Sequence, residues 1–470
     1  MSASSAARTR SAGSYGRGAR ILSIGIASTG LLTFAYFSIA SHVLSSAAAK
    51  RIDVLWSVMF VIISVIYRPI EQLLSRTIAE RRARGHAAHS LRVPMLIQAG
   101  FALVFLVLAL ALREPIVGDL FEHNEALYDV LIVGTLAYAA SYFARGWLAG
   151  HQRFELFGGL VLMESLSRVA FAGAVALGIA SGQTAVALGV AAAPLVSLVV
   201  VPAAFARAGG DGTREGEAGL GREHEIDGPI TVDEADAALA GPGTEAVQEA
   251  AAHDLSLRRG GGFAIWVSGI MLSEQTLLNA AVLTVDATSS NRSLAGVVFN
   301  VLLIARAPLQ LFQAIQTSLL PHLAGLEATA GHDAFARAVR TTVLAIAAFA
   351  AVVTLGLLLV GPFALRHVFF GQHFVYQAAG LGLIGVGMGL HLISGALNQA
   401  ALARDRAGAA AGCWMLAAAL FVAWMLLPAV PDQLLRAEIG YAGATALLAL
   451  TLTALYRQGS RGLPAQAAPA

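Results

Sequence analysis

Three arginines, Arg68, Arg168 and Arg306, interrupt stretches of sequence that are otherwise apolar. A guanidinium there costs about 2.5–3.5 kcal/mol at mid-bilayer on insertion scales, so it is not expected to face lipid. What it does well is grip an anion, because its planar fork offers two parallel N–H groups to a phosphate or carboxylate. Each has a companion. Pro69 and Glu71 follow Arg68, Glu164 stands four residues before Arg168, and Pro308 follows Arg306. A third acid, Glu274, lies among Ser273, Gln275 and Asn279, and Gln310, Gln313 and Gln316 recur every three residues beneath Asn300. Carboxylates in an apolar run suit exchange of a proton or binding of Na+ through oxygens, so Glu71, Glu164 and Glu274 are the candidate ion-coupling groups. Amides suit sugar hydroxyls or bonds between helices. The plainer readings are an Arg68–Glu71 pair or snorkelling of Arg68 to the inner face, and a structural Glu164–Arg168 pair on one helical face. His42 and His391 read as packed polar residues rather than proton relays. Pro69 and Pro308 each remove a backbone donor and predict a kink that can act as a hinge.

The elements that carry these residues are membrane helices. The chain is 57% hydrophobic and only 13% charged, against about 25% charged in an average soluble domain. Its mean hydropathy is +0.69. Runs long enough to span occur at 21–45, 53–76, 92–112, 128–150, 157–180, 184–206, 261–285, 295–320, 338–360, 376–400, 408–428 and 436–456. This predicts an all-α polytopic membrane protein with twelve spans. With both ends on the cytoplasmic side, 22 basic residues fall in inner segments and six in outer loops, as the positive-inside rule requires. The first run is longer than a signal-peptide core, so it is expected to stay as a span.

Residues 207–260 differ in kind. Acids and glycines dominate and aromatics are almost absent, so the segment is expected to be a disordered cytoplasmic linker. It divides the chain into a tail at 1–20, a six-helix bundle at 21–206, a second at 261–457 and a tail at 458–470. The Asp-Glu-Ala-Asp tetrad at 233–236 and the Asn291-Arg292-Ser293 sequon are read as chance. No phosphate-cradling glycine loop, metal-ligand spacing or nucleophile elbow is present, and the single Cys413 excludes an intrachain disulfide. The expectation is a transporter, not an enzyme, with no cofactor and no nucleic-acid partner.

The halves are faintly alike. Arg68-Pro69-Ile70-Glu71-Gln72 in the second span is echoed by Arg306-Ala307-Pro308-Leu309-Gln310 in the eighth. With RGWLAGHQRF at 145–154, LLPHLAGLEA at 319–328 and the span layout, the pattern resembles the multidrug/oligosaccharidyl-lipid/polysaccharide (MOP) exporter superfamily. More narrowly it looks like the polysaccharide flippases. The resemblance implies two bundles around a central cavity that opens alternately to each side of the bacterial cytoplasmic membrane. It implies cavity arginines that hold the pyrophosphate of a lipid-linked oligosaccharide, so Arg68, Arg306, Arg168, Gln310 and Gln313 become the candidate substrate-binding set. The expected partners are that glycan lipid, membrane lipids, H+ or Na+, and glycosyltransferases or a polymerase. The alternatives are a small-molecule or drug exporter of the same superfamily and a major-facilitator transporter. The latter expects a glycine–aspartate motif after the second span that RTIAERRARG lacks.

Overall fold

The computed structural model describes residues 28–85, 91–200, 256–288, 308–309, 312, 315–329, 331–364 and 377–461. Arg306, Gln310, Gln313, the tail at 1–20, most of the tail at 458–470 and almost all of the 207–260 linker lie outside them. The regular structure of the described residues is helical. The first half contributes α1 (28–43), α2 (Ser46–Ile66), α3 (Arg68–Ala83), α4 (Arg92–Ala111), α5 (Glu125–Gly150), α6 (Phe154–Ala176) and α7 (Gly182–Ser197). The second contributes α8 (Leu257–Thr288), α9 (315–329), α10 (Gly331–Leu359), α11 (Ala378–Ala403), α12 (Ala407–Leu426) and α13 (Gln433–Arg461). Among the described residues, eight helices are long and apolar enough to cross a membrane.

The expected second span is two helices. α2 stops at Tyr67, whose backbone (φ −108°, ψ −27°) departs from the helical values. α3 restarts at once, with Pro69 near its first position, where a missing N–H leaves no intrahelical bond unmade. The interruption at Tyr67 falls one residue before the Arg68-Pro69 pair. Beyond the span, the basic run read as an inner loop continues α3. Glu71 in its first turn and Arg81 and Arg82 in its last complement the helix dipole, and a Glu80–Arg84 ion pair at 2.8 Å closes its end. Pro308 falls in a short described helical turn.

Within the first half, α3 packs on α5, α5 on α7 and α6 on α7; within the second, α11 is flanked by α10 and α13, and α8 lies on α12. Burial separates the centre from the rim. In the most apolar stretch of α11, 78% of residues are buried, against 11% in α10. α10 and α4 accordingly turn Leu355, Leu359, Leu103 and Val107 outward, as lipid-facing surfaces require. The apolar face of α3 does not follow the division into halves. Ile70, Leu73, Leu74 and Ile78 are buried in the same cluster as Phe263, Val267, Leu320 and Leu323 of α8 and α9. α1, α2, α5, α6 and α7 pack around Tyr36, Leu55, Leu131 and Val190. α3 is thus a first-half helix built into the second-half core.

Candidate functional site

α5 places Tyr138, Ser141, Tyr142 and Arg145 at i, i+3, i+4 and i+7, which is one helical face. α6 faces it with Glu164, Ser165 and Arg168. Glu164, 3% exposed, accepts hydrogen bonds from Ser141 Oγ and Arg145 Nη2. The Arg145 guanidinium also lies 4.5 Å from the centre of the Tyr142 ring. Glu71 enters from α3 and feels the charges of Arg145, Arg68 and Glu164. The approach of α3 to α5 depends on Gly146. A Cβ there would stand 2.9 Å from the Cα and carbonyl oxygen of Glu71, so any side chain would push the acid away from Arg145.

The expected Glu164–Arg168 pair is not made. Both residues are on one face of α6, but Arg145 of the neighbouring helix takes the carboxylate. Arg168 instead donates to Tyr138 Oη at 3.1 Å and Ser165 Oγ at 2.8 Å, and its guanidinium lies 4.7 Å from the centre of the Trp56 ring. Arg145 is the buried cation that sequence reasoning did not single out, having counted it with the inner-face arginines. The signal was available in the 3–4–7 spacing of Tyr138, Ser141, Tyr142 and Arg145, which predicts a polar stripe through the helix rather than an end.

A second cluster forms in the other half. Glu274 of α8 stands 3.7 Å from His391 Nε2 of α11, within ion-pair range but too far for a hydrogen bond. The other ring nitrogen of His391 meets Tyr441 Oη at 3.4 Å, and Trp414 packs edge-on against the ring at 5.5 Å. Trp414 Nε1 in turn donates to Asn398 Oδ1 at 3.2 Å. His391 is 1% exposed. Part of the expected polar group of Glu274 with Ser273, Gln275 and Asn279 forms along α8, where Asn279 Nδ2 reaches Gln275 Oε1 at 3.4 Å. Ser273 and Asn279 donate to carbonyls of their own helix, Gly269 and Gln275, and the partner of Glu274 comes from α11.

Arg68 lies between the two clusters. Its Nη2 donates to Gln316 Oε1 of α9 at 3.1 Å, and it interacts electrostatically with both Glu71 and Glu274. It does not snorkel away. It joins the halves, and Gln316 of the glutamine series meets it.

Solved structures share this architecture. The MATE transporter ClbM in complex with Rb+ aligns with a TM-score of 0.70 over 94% of each chain, at 13% identity. A mutant of the Vibrio cholerae MATE transporter VcmN aligns at 0.68, covering 96% of this chain and 97% of its own, at 16% identity. A multidrug resistance MATE family transporter of the MOP superfamily, in an outward-facing conformation, aligns at 0.69 over 95% of each chain, at 14% identity. No family model matches the sequence, and no curated protein matches it significantly. The fold is that of the MATE transporters, and the chain is a multi-pass membrane protein.

Proposed function

We propose that this protein is a secondary exporter that works by alternating access and carries small amphipathic molecules, as a drug exporter does. The observation that carries this reading is the near end-to-end correspondence with MATE transporters, one of them described as a multidrug resistance transporter. It favours the small-molecule alternative over the lipid-linked glycan anticipated from the sequence. The buried charges suit such a cargo. Glu164 is neutralised by Arg145, and Glu71 and Glu274 share the field of Arg68. These buried charges therefore come close to balancing one another, and a cargo need not bring a strong charge of its own. Coupling to H+ or Na+ would fall to Glu274 with His391, since Arg145 already occupies Glu164. The kink at Tyr67–Pro69 would serve as the hinge, the membrane would be the cytoplasmic one, and both termini would lie inside.

A polyprenyl pyrophosphate glycan remains the second reading, on one observation. Arg68 is hydrogen-bonded to a neutral amide, Gln316, which a phosphate oxygen can displace. Proteoliposomes separate the two. Uptake of a fluorescent cationic dye against a pH or Na+ gradient supports the first, and inversion of a labelled polyprenyl pyrophosphate sugar supports the second. Arg68→Ala is expected to lower whichever activity is found by about 10- to 100-fold, the equivalent of one charge-assisted hydrogen bond. Wild-type rates in that variant would remove Arg68 from the site, and failure of both assays would remove the exporter reading.

A further inference from the structure

Three contacts along α3 reach the second half in order. Arg68 meets Gln316 near the kink, Arg76 Nη1 donates to Asp405 Oδ1 at 2.8 Å, and Ala83 lies where a methyl on Gly325 would touch it at 3.8 Å. The middle contact differs in its construction. Asp405 occupies the tight turn between α11 and α12 with a left-handed backbone, φ +58°. Its neighbours are tied to their own half. Arg404 Nε donates to Glu327 Oε2 at 3.2 Å and its guanidinium lies 4.1 Å from the centre of the Phe335 ring, while Arg406 Nη1 donates to the Leu455 carbonyl at 2.7 Å. Between these anchors the Asp405 carboxylate reaches across to α3. Its second oxygen accepts from Arg259 Nε at 3.1 Å and Nη2 at 2.7 Å, at the first turn of α8.

We propose that the Arg76–Asp405–Arg259 bridge is an ionic latch that holds the two halves shut on one face, and that its release is a required step in opening that face. The inference rests on the alternating-access reading above. The two arms of the bridge are unequal. Arg76 has a side chain only 9% exposed and lies 5.3 Å from the Phe263 ring centre, so breaking its arm leaves a guanidinium poorly hydrated. Arg259 has a side chain 64% exposed, at the edge of a cavity of about 360 Å³ that Arg258, Trp266 and Asp405 also line. Water can replace that arm readily. The inner arm therefore holds the closed state, and the outer arm fixes the orientation of the carboxylate that receives it. Arg68 and Arg76 are eight residues apart on one helix, about 12 Å, so a displacement of the first turn of α3 carries the latch with it.

Pulsed electron–electron resonance tests this in the full chain. Spin labels replace the exposed Arg84 and Gln458, at the ends of α3 and α13, in a Cys413→Ser background. The parent is expected to show one short-distance population. Asp405→Asn is expected to raise the long-distance fraction several-fold, and Arg259→Gln to raise it less. Arg51→Gln breaks an ion pair internal to the first half, with Glu122, and is expected to leave the distances unchanged. A distribution in Asp405→Asn identical to the parent overturns the latch. Should that variant fail to fold, Arg76→Gln, which removes the other partner of the arm that crosses the halves, decides in its place, and an unchanged distribution there overturns it. The measurement needs no cargo. Shifted distances without transport would overturn the exporter reading and leave the latch, and transport with unshifted distances would do the reverse.

Discussion

Arg145 and Arg168 sit one helix apart and are stabilised in different ways. The first is matched by the Glu164 carboxylate; the second by a phenol, a hydroxyl and an indole face. A buried ion pair loses hydration on both sides, so removing one partner typically costs about 3–5 kcal/mol, because the other is left uncompensated. Arg168 avoids that dependence, as its partners are neutral. Asp405 belongs to a third class, in the turn between α11 and α12. Partial burial acts to raise its pKa, but Arg76 and Arg259 outweigh burial and hold the carboxyl below the usual carboxylate range. The free carboxyl titrates near about 3.9, so the bridge is fully present above that pH and is lost only as pH falls through the still lower folded value. The labelled pair across the latch should therefore give the same distances at pH 7.5 and pH 5. A change within that window would mean that the latch does not depend on the Asp405 carboxylate.

At the scale of helices, the runs that became α4 to α8 and α10 to α13 were legible in the sequence, because length and apolar content decide them. Arg68 at the join between halves was legible too, since a lone cation has few tolerable places in a bilayer. The pairings were not. Spacing shows that Glu164 and Arg168 share a face of α6. It does not show that α5 will bring a better-placed cation, nor that α11 will bring His391 to Glu274. The extent of α3 was missed because RTIAERRARG is polar enough to read as loop, whereas its helicity comes from packing Ile70, Leu73, Leu74 and Ile78 against the other half. Glycines set how near helices come, and Gly146 is the clearest case. Gly146→Ala would push a methyl into the backbone at Glu71 and should destabilise by about 1–3 kcal/mol, the usual range for overpacking. A thermal melt in detergent checks it. Gly412→Ala, where a methyl meets nothing within 4 Å, is the control and should melt with the parent.

For the whole molecule the relevant variable is the separation of the two halves. α8 touches α2, α3 and α4, so the join is a surface rather than a point. The contact of Ala83 with Gly325 offers a direct lock. Their Cβ atoms would be 3.8 Å apart, close to the mean for a disulfide. Ala83→Cys with Gly325→Cys, in the Cys413→Ser background, should cross-link under mild oxidation. It should then stop export and regain it on reduction. A cross-linked protein that still exports at the parent rate would show that this face need not part. The shared core has another consequence, for protein engineering. A chimera cut at the linker would set a foreign residue 68–83 helix against this protein's Phe263, Leu320 and Leu323, and would inherit two sets of packing that never met. Grafting that helix together with the C-terminal half keeps the steric match intact, so the productive crossover lies at Tyr67 and not at the boundary that the sequence advertises.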